Sequence, residues 1–295
     1  MRISVVIPAL NEAGNIGRLV EETYAVVPAD VLCEVIVVDD SSEDATAAEV
    51  KDRLVSGCFF GLRYLRHGAT SGQSAALRSG ILAATSSVIA TMDGDGQNDP
   101  RDIAALLERI APPGRRGPAL IGGIRVDRQA AGSKRLASKA ANWVRDAVLN
   151  DGCPDTGCGL KVFWREAFLR LPFFTSMHRY LPALFQSYGY EVAYLPVNDR
   201  PRRAGTSKYG NLERALIGLY DLVGVPWLRR RTRTPLIVEA LAKGRTVPDS
   251  QARGPVECCQ REDLSAVHCD AQNAHVACRS KPRISSIHAS SPQWK

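Results

Sequence analysis

The chain is organised around the stretch VIATMDGDGQNDP, residues 88–100. Its apolar beginning, residues 88–92, is typical of a buried strand and ends at two carboxylates, Asp93 and Asp95, each followed by glycine. Pro100 then begins a helical pattern over residues 102–110, because the first turn of a helix tolerates a proline. The two acids are therefore predicted to lie at the carboxyl end of a strand, where open α/β sheets bind ligands.

Three kinds of site compete for this acidic turn. Neighbouring carboxylates repel each other unless a cation lies between them, and oxygen ligands in a glycine-rich turn suit Mg²⁺ or Mn²⁺ shared with a substrate phosphate. An EF-hand loop is excluded, because its sixth and twelfth positions would be Asn98 and Ala104 instead of Gly and Glu. A solvated acidic turn and the metal–diphosphate site of a nucleotide-sugar enzyme both stay open on this evidence alone.

Composition narrows the class of protein. The 295 residues are 45% hydrophobic and 23% charged, which predicts a globular chain with core enough for one domain of roughly 200–250 residues. A net charge of +7 favours an anionic partner, but with only 6% aromatic residues we expect no nucleic-acid partner. The predicted strand at residue 3 leaves no room for a signal peptide, and no run approaches the ~20 apolar residues of a membrane span.

Strands and helices alternate along the first half of the chain. Strands are predicted at residues 3–7, 34–38, 62–65 and 88–92, and helices at 14–27, up to about 54, at 71–84 and at 102–110. This alternation predicts an α/β fold with a mostly parallel central sheet and helices on both faces. The second half is predicted to add strands at 119–121 and 191–195 and helices at 134–149, 165–170, 180–187 and 212–228.

Polar residues follow three of these strands directly. The pairs are Asn11 with Glu12, Asp39 with Asp40, and Asp93 with Asp95. Residues of this kind often cap the following helix, as Ser42 or Asp44 would do here. Helix capping does not account for two consecutive aspartates after a buried strand, so the pairs also predict a binding site at one edge of the sheet.

The hydrophobic periodicity ends near Pro235. We therefore predict one folded domain over residues 1–233 and a poorly ordered tail over 234–295. The eight cysteines form no regularly spaced framework and are predicted to be reduced, and those of the tail lack the spacing of a zinc site.

Four motifs, taken in order, resemble those of family 2 glycosyltransferases, which have the GT-A fold. They are VVIPALNE at residues 5–12, VVDDSSED at 37–44, DGD at 93–95 and RRAGTSKYG at 202–210. Within that family the chain is most similar to dolichol-phosphate mannosyltransferases and bacterial polyprenyl-phosphate glycosyltransferases, through the longer run DGDGQNDP and the DTG at 155–157. The resemblance covers residues 3–233. Leu10 stands where a tyrosine is common, and the membrane helices of many relatives are missing.

The resemblance implies a role for each matched residue. Those expected to bind the nucleotide-sugar are Pro8, Ala9, Asn11, Glu12, Asp39, Asp40, Asp93 and Arg202. Those expected to hold Mg²⁺ or Mn²⁺ are Asp93, Asp95 and Gln97. Those expected to bind the acceptor phosphate are Arg125, Arg135, Ser138 and Arg200, with Lys134 or Lys139 as alternatives to Arg135. Catalytic roles fall to Asp95, Asp155 and Lys208, and His178 is expected to be structural or to contact the donor phosphates.

Charge favours a lipid phosphate as the acceptor. A departing nucleoside diphosphate builds negative charge that a divalent ion and Lys or Arg groups stabilise. A hydroxyl acceptor would also need a general base, for which Asp155 is the candidate, whereas a phosphate is already anionic and needs cations to bind it. The other predicted role of Asp155 is to accept hydrogen bonds from backbone amides of the 156–159 turn.

The sequence therefore predicts a metal-dependent, inverting glycosyltransferase. It is expected to move a hexose of the mannose or glucose type to a dolichyl or undecaprenyl phosphate, as a dolichyl-phosphate β-D-mannosyltransferase does. The basic run at 229–233 follows an amphipathic helix, which predicts a cytoplasmic protein held peripherally at the cytoplasmic membrane face. Two alternatives stay open: a soluble transferase acting on a sugar hydroxyl, and an inactive nucleotide-sugar-binding relative.

Overall fold

The computed structural model describes residues 1–112, 115–126, 145, 148–201 and 211–232, without the side chains of 211–219. The predicted tail and four predicted site residues lie outside this part of the chain, namely Arg135, Ser138, Arg202 and Lys208. The strands are β1 Ile3–Ala9, β2 Leu32–Asp39, β3 Leu62–Arg66, β4 Val88–Thr91, β5 Pro118–Val126, β6 Lys161–Trp164 and β7 Glu191–Asn198. The helices are α1 Ile16–Val26, α2 Thr46–Ser56, α3 Gln73–Ala83, α4 Asp102–Arg109, α5 Arg165–Leu169, α6 Leu181–Ser187 and α7 Asn211–Arg231, with a 3₁₀ turn at Met177–Arg179.

The seven strands form one sheet in the order β3-β2-β1-β4-β6-β5-β7. Neighbours among the first four are parallel, β6 is antiparallel to both β4 and β5, and β7 is parallel to β5. The predicted mostly parallel sheet is confirmed. Because β6 runs against β4, its first residue, Lys161, pairs with Thr91 at the last position of β4. The start of β6 therefore lies at the same edge as the acidic turn.

Helices cover both faces of the sheet. Consecutive residues of a strand point to opposite faces, so Val5 packs into the core shared with α1 and α4, whereas Val6 packs into the core shared with α3, α5 and α6. Burial on both faces explains why β1 reads as a continuous apolar run. Gly80 lets α3 approach closely, since a Cβ there would lie 2.4 Å from a methyl group of Val6.

The second half differs from the prediction in the length of its strands. β5 continues beyond the predicted end at residue 121, through Gly122 and Gly123. Side chains of neighbouring segments occupy the space beside both glycines: Tyr194 beside Gly122, and Cys158 with Val197 beside Gly123. β7 continues past Pro196, and it can do so because it is an edge strand with one unpaired side. The segment after the DTG turn, which had no strand assigned, is β6.

Candidate active site

The loop after β1 is held by side chains of the loop after β2 and of the beginning of α2. Backbone N–H groups of four consecutive residues donate to side-chain oxygens: Asn11 to Ser42 (2.8 Å), Glu12 to Thr46 (2.7 Å), Ala13 to Asp44 (3.1 Å) and Gly14 to Glu49 (2.5 Å). Asp44 also accepts from the N–H of Thr46, the first residue of α2, at 2.9 Å. The N-cap residue of α2 is Ala45, without a side-chain cap hydrogen bond, so the prediction that Ser42 or Asp44 caps this helix is wrong. The wall of the predicted nucleotide pocket is therefore preformed by the protein itself.

Asp39 and Asp40 organise the loops around that pocket. The side chain of Asp39 is completely buried and accepts hydrogen bonds from the Ser42 amide at 2.7 Å and from the Tyr64 hydroxyl at 2.5 Å. Asp40 accepts from the amides of residues 71 and 72 and bonds to His67 Nδ1 at 2.7 Å. Both carboxylates face protein groups, and their contact with a base stays a prediction.

The three predicted metal ligands line one cavity of about 450 Å³ at the carboxyl end of β4. Two hydrogen bonds within the loop after β4 fix its conformation. Asn98 accepts from the Asp93 amide at 3.0 Å, and Asp95 accepts from the Gln97 amide at 3.1 Å. Burial and then the neighbouring Asp95 raise the pKa of Asp93 to about 6, and nearby cations only partly oppose this. The raised pKa reflects the cost of placing two carboxylates together in a buried site.

The donor set fits a divalent cation. Within the described residues no group of three or more His, Cys, Asp or Glu forms a metal cluster. Two carboxylates and the amide of Gln97 are nevertheless oxygen ligands, and Mg²⁺ or Mn²⁺ commonly binds through one or two carboxylates together with substrate phosphates. A cation at this point would relieve the repulsion that raises the pKa of Asp93.

Gly159 lies directly against the acidic pair. A Cβ at this position would be 2.3–2.5 Å from the carboxyl carbon and both oxygens of Asp93. The glycine is fixed in place, since its carbonyl accepts a hydrogen bond from Thr91 Oγ1 at 2.8 Å. Asp93 also accepts from Gln73 Nε2 at 2.8 Å. The Asp93 carboxylate is therefore held between the side chain of Gln73 on α3 and the backbone of Gly159.

Asp155 is bound to Arg125 by two parallel hydrogen bonds, from Nε at 2.7 Å and from Nη2 at 2.9 Å. The predicted bond to the 156–159 turn is also present, because the Gly157 amide donates to Asp155 at 3.2 Å. Both side chains are nearly buried, with 12% and 11% of their surface exposed. The pair acts as a unit that fixes Arg125 at the cavity. The predicted roles of Asp155 as a base and of Arg125 as a phosphate ligand stay predictions.

The structure adds residues to the cavity that the sequence did not point to. Gln73, Lys161 and Arg179 line it together with His178. Burial first, and then the charges of Arg179 and Lys161, lower the pKa of His178 to about 3, so its ring is neutral at pH 7. The one signal for Lys161 in the sequence was a charged residue inside the apolar run LKVFW, residues 160–164.

Arg200 joins the acidic loop to the end of β7. Its guanidinium pairs with Glu22 at 2.6 Å and with Asp99, while its backbone N–H donates to the Gln97 carbonyl at 2.9 Å. Burial alone would raise the pKa of Asp99, and Arg200 with the Arg101 amide lowers it instead. The predicted contact of Arg200 with an acceptor phosphate stays a prediction. In this structure Arg200 holds two carboxylates and positions the loop.

We expect Arg200→Gln to lower the free energy of unfolding by about 2 kcal/mol and to weaken Mn²⁺ binding. The change leaves the buried Asp99 without its main ion-pair partner, although the partial exposure of Arg200 makes the cost smaller than for a fully buried pair. Urea unfolding and Mn²⁺ titration measure the two effects. Arg101→Gln is the matched control, because that guanidinium is 73% exposed and lies 3.7 Å from Asp99. Equal effects of the two variants would contradict this role.

Comparison with known proteins places these features in a family context. The family model described as Glycosyl transferase family 2 matches residues 4–171. A dodecaprenyl-phosphate galacturonate synthase of Rhizobium johnstonii is 31% identical over 239 residues, which cover 80% of this chain and 69% of that relative. An undecaprenyl-phosphate 4-deoxy-4-formamido-L-arabinose transferase of Pectobacterium carotovorum is 31% identical over 241 residues, which cover 81% of this chain and 70% of that relative.

Solved structures show the fold. Glucosyl-3-phosphoglycerate synthase from Mycobacterium tuberculosis, solved with Mn²⁺, uridine diphosphate and glucosyl-3-phosphoglycerate, matches with a TM-score of 0.57 at 20% identity, over 77% of this chain and 79% of that chain. The same protein solved with Mg²⁺ and uridine diphosphate matches with a TM-score of 0.58. These are GT-A glycosyltransferases, and the predicted GT-A fold is confirmed.

Proposed function

Because this chain belongs to glycosyl transferase family 2, we propose that it transfers a sugar from a nucleotide-sugar donor to a polyprenyl phosphate, with inversion at the sugar carbon. The observation that carries the proposal is the cavity at the end of β4, where Asp93, Asp95 and Gln97 face a set of cations. The proposed catalytic domain is residues 1–233, with 234–295 as a separate tail. The relatives named above act on polyprenyl phosphates, which supports this acceptor class.

A divalent cation is proposed to bind at Asp93, Asp95 and Gln97. When bound, Mg²⁺ or Mn²⁺ would supply positive charge to the leaving diphosphate. The chain's own residues hold that site in shape: Asn98 and the amide of Gln97 fix the loop, and Gln73 orients Asp93. The amide-anchored loop after β1 would take the nucleoside, including the proposed contacts from Pro8, Ala9, Asn11 and Glu12.

The acceptor is proposed to be a phosphate because the two general-base candidates, Asp155 and the cavity residue His178, are poorly suited to take a proton. Asp155 is engaged by both nitrogens of its Arg125 bridge. His178 is a weak base, with a pKa lowered to about 3. A phosphate monoester needs no base, only cations to bind and orient it. Arg125 is the described cation proposed to do so, and Arg135, Ser138, Arg202 and Lys208 are proposed contacts outside the described residues.

Sugar transfer by the Asp155→Asn variant tests whether the acceptor is a phosphate. With Mn²⁺ and polyprenyl phosphate we expect nucleotide release to fall by about tenfold, because Arg125 loses its anchor but no proton transfer is lost. Arg125→Gln should give a similar loss, and the double variant no more than either, since the two side chains act as a unit. A transferase acting on a sugar hydroxyl is the second candidate, and a loss of about a thousandfold or more in Asp155→Asn would favour it.

The sugar is the least constrained part of the proposal. The sequence predicts a neutral hexose of the mannose or glucose type. The two relatives are named for galacturonate and for 4-deoxy-4-formamido-L-arabinose, and neither is a simple hexose. A screen of GDP-mannose, UDP-glucose, UDP-N-acetylglucosamine and UDP-galacturonate with undecaprenyl phosphate decides between them. An absence of transfer from every donor would favour the inactive relative.

A peripheral contact with the membrane is proposed for the exposed side of α7. Tyr220, Val223 and Trp227 lie three and four residues apart and expose 85%, 73% and 61% of their surface. Arg229–Arg231 follow, and Arg231 lies over the Trp227 ring at 5.8 Å. Apolar side chains beside basic ones suit an anionic bilayer surface. In the described part of the chain no helix is both long and apolar enough to cross a membrane.

Vesicle sedimentation tests this contact. We expect Trp227→Ser combined with Tyr220→Ser to lower the affinity for vesicles rich in anionic lipid by about tenfold, because two aromatic side chains that would be buried in the bilayer surface are lost. Phe60→Ser is the control, since Phe60 is an 88% exposed aromatic side chain on another part of the surface. Binding that is unchanged in the double variant, or equally reduced in the control, would contradict the proposal.

A further inference from the structure

Lys161 is a buried cation in the cavity whose role the proposed reaction does not explain. Only 6% of its surface is exposed, and its ammonium group donates one hydrogen bond, to the carbonyl of Cys158. An ammonium group has three donors, so two N–H groups have no acceptor among the described residues. A buried charge with so few partners is costly unless a ligand completes its shell.

Two more groups flank Lys161. Arg179, in the 3₁₀ turn, lines the same cavity and forms neither an ion pair nor a side-chain hydrogen bond with any residue in the described ranges. His178 is neutral, and its Nδ1 bonds to Ser74 Oγ at 2.8 Å while the same hydroxyl accepts the His178 amide at 3.3 Å. Lys161 and Arg179, with the neutral His178 beside them, are hereafter called the cationic wall.

The order of the strands indicates which part of the substrate meets this wall. Along the active edge, the proposed nucleoside pocket lies at β1 and β2, the cation site at β4, the start of β6 next, and Arg125 at the end of β5. A donor and acceptor in line follow the sequence nucleoside, diphosphate, sugar, acceptor phosphate. Lys161 begins β6, between the cation site and Arg125. Its position therefore corresponds to the sugar.

Charge then indicates the kind of sugar. A cation bound at Asp93 and Asp95 would neutralise those two acids. Lys161 would lose Asp93 as a counterion and lie beside another positive centre. A neutral sugar would offer only hydroxyl groups, whereas a carboxylate would satisfy the ammonium group through charge-assisted hydrogen bonds, which are about twice as strong.

We propose that the cationic wall is a carboxylate subsite and that the donor sugar is a uronic acid. This inference rests on the proposed glycosyltransferase function and narrows its donor class. Lys161 is the specificity-determining residue, and Arg179 and His178 complete the subsite. The lining also includes the apolar residues Leu77, Met92 and Leu181.

Matched donors test the proposal, because each pair differs only at the C6 carboxylate. The pairs are UDP-galacturonate with UDP-galactose and GDP-mannuronate with GDP-mannose. Wild-type protein, Lys161→Met and Lys161→Arg are compared by kcat/KM for transfer to undecaprenyl phosphate and, independently, by the Kd of each donor in calorimetry. Lys51→Met, an exposed lysine on α2, is the matched control.

In the wild type we expect the uronate of one pair to be preferred at least about tenfold. Lys161→Met should weaken that uronate by about 10- to 150-fold, in both kcat/KM and Kd, while the neutral donor changes less than about threefold. Lys161→Arg should keep part of the preference, which a merely structural role would not do. Lys51→Met should match the wild type.

Two results would overturn the subsite. One is a wild-type preference for the neutral sugar, which leaves the transferase function standing. The other is an equal loss for both donors in Lys161→Met, which would assign Lys161 to the diphosphate or to the fold. An absence of transfer from every donor would instead count against the proposed function, and the Kd comparison would still decide whether the wall selects a carboxylate.

Discussion

Asp95→Asn is expected to reduce sugar transfer by about a thousandfold or more, which corresponds to about 4 kcal/mol of transition-state stabilisation. Asp95 is buried, with 8% of its surface exposed, and one of its oxygens accepts the Gln97 amide at 3.1 Å. Asparagine keeps one oxygen for that bond, removes the negative charge and replaces the other oxygen with an NH₂ group. The loop should therefore keep its shape, while the affinity for Mn²⁺ and the Mn²⁺-dependent affinity for nucleotide are lost.

Calorimetry with UDP and with GDP, each with and without Mn²⁺, separates the two contributions. Asp52→Asn, at an exposed position of α2, is the control and should behave as the wild type. If Asp95→Asn kept transfer within about tenfold of wild type at saturating Mn²⁺, Asp95 would not be a metal ligand.

Gly159→Ala is expected to lower kcat/KM strongly while the protein stays folded. The added methyl would lie 2.3–2.5 Å from the carboxylate of Asp93, closer than real Cβ contacts come, so that carboxylate must move. The backbone at Gly159 lies outside the left-handed region, and alanine can adopt it. Displacing Asp93 breaks its bond to Gln73 and disrupts the cation site. We expect a loss of about a hundredfold in kcat/KM and of about 1–2 kcal/mol in the free energy of unfolding.

Gly224→Ala is the matched control, because nothing lies within 4 Å of a Cβ at that position of α7. It should leave activity unchanged and stabilise the helix slightly. Urea unfolding and Mn²⁺ titration of both variants separate a local displacement from a general loss of structure. A Gly159→Ala protein with wild-type Mn²⁺ affinity would show that Asp93 has room to move without harm.

The parts of the fold that sequence predicts are those encoded locally. Three of the first four strands, β1, β2 and β4, are mostly apolar runs followed by polar residues, and the ends of all four meet at one edge because the strands are parallel. The acidic turn was predicted for the same reason. Gly122 and Gly123 misled the prediction of β5, since the side chains that make glycine necessary there come from Cys158, Tyr194 and Val197, far along the chain.

The cationic part of the site depends on long-range pairing that no local pattern contains. Lys161 reaches the cavity only because β6 is antiparallel to β4, which places it beside Thr91. The contact of Arg200 with a phosphate stays a prediction, and one of its partners in the structure, Glu22, lies 178 residues away in the chain. A motif identifies which residues are near a site, and the tertiary structure determines what each one holds.

The four backbone hydrogen bonds that hold the loop after β1 have a thermodynamic consequence. Four consecutive N–H groups are already bonded within the protein, so this segment has little conformational freedom left to lose when a donor arrives. Binding of a donor in the proposed nucleoside pocket would then carry only a small entropy penalty for ordering this loop. Such a pocket is suited to bind the donor first and to hold its reactive carbon for the acceptor, which binds later.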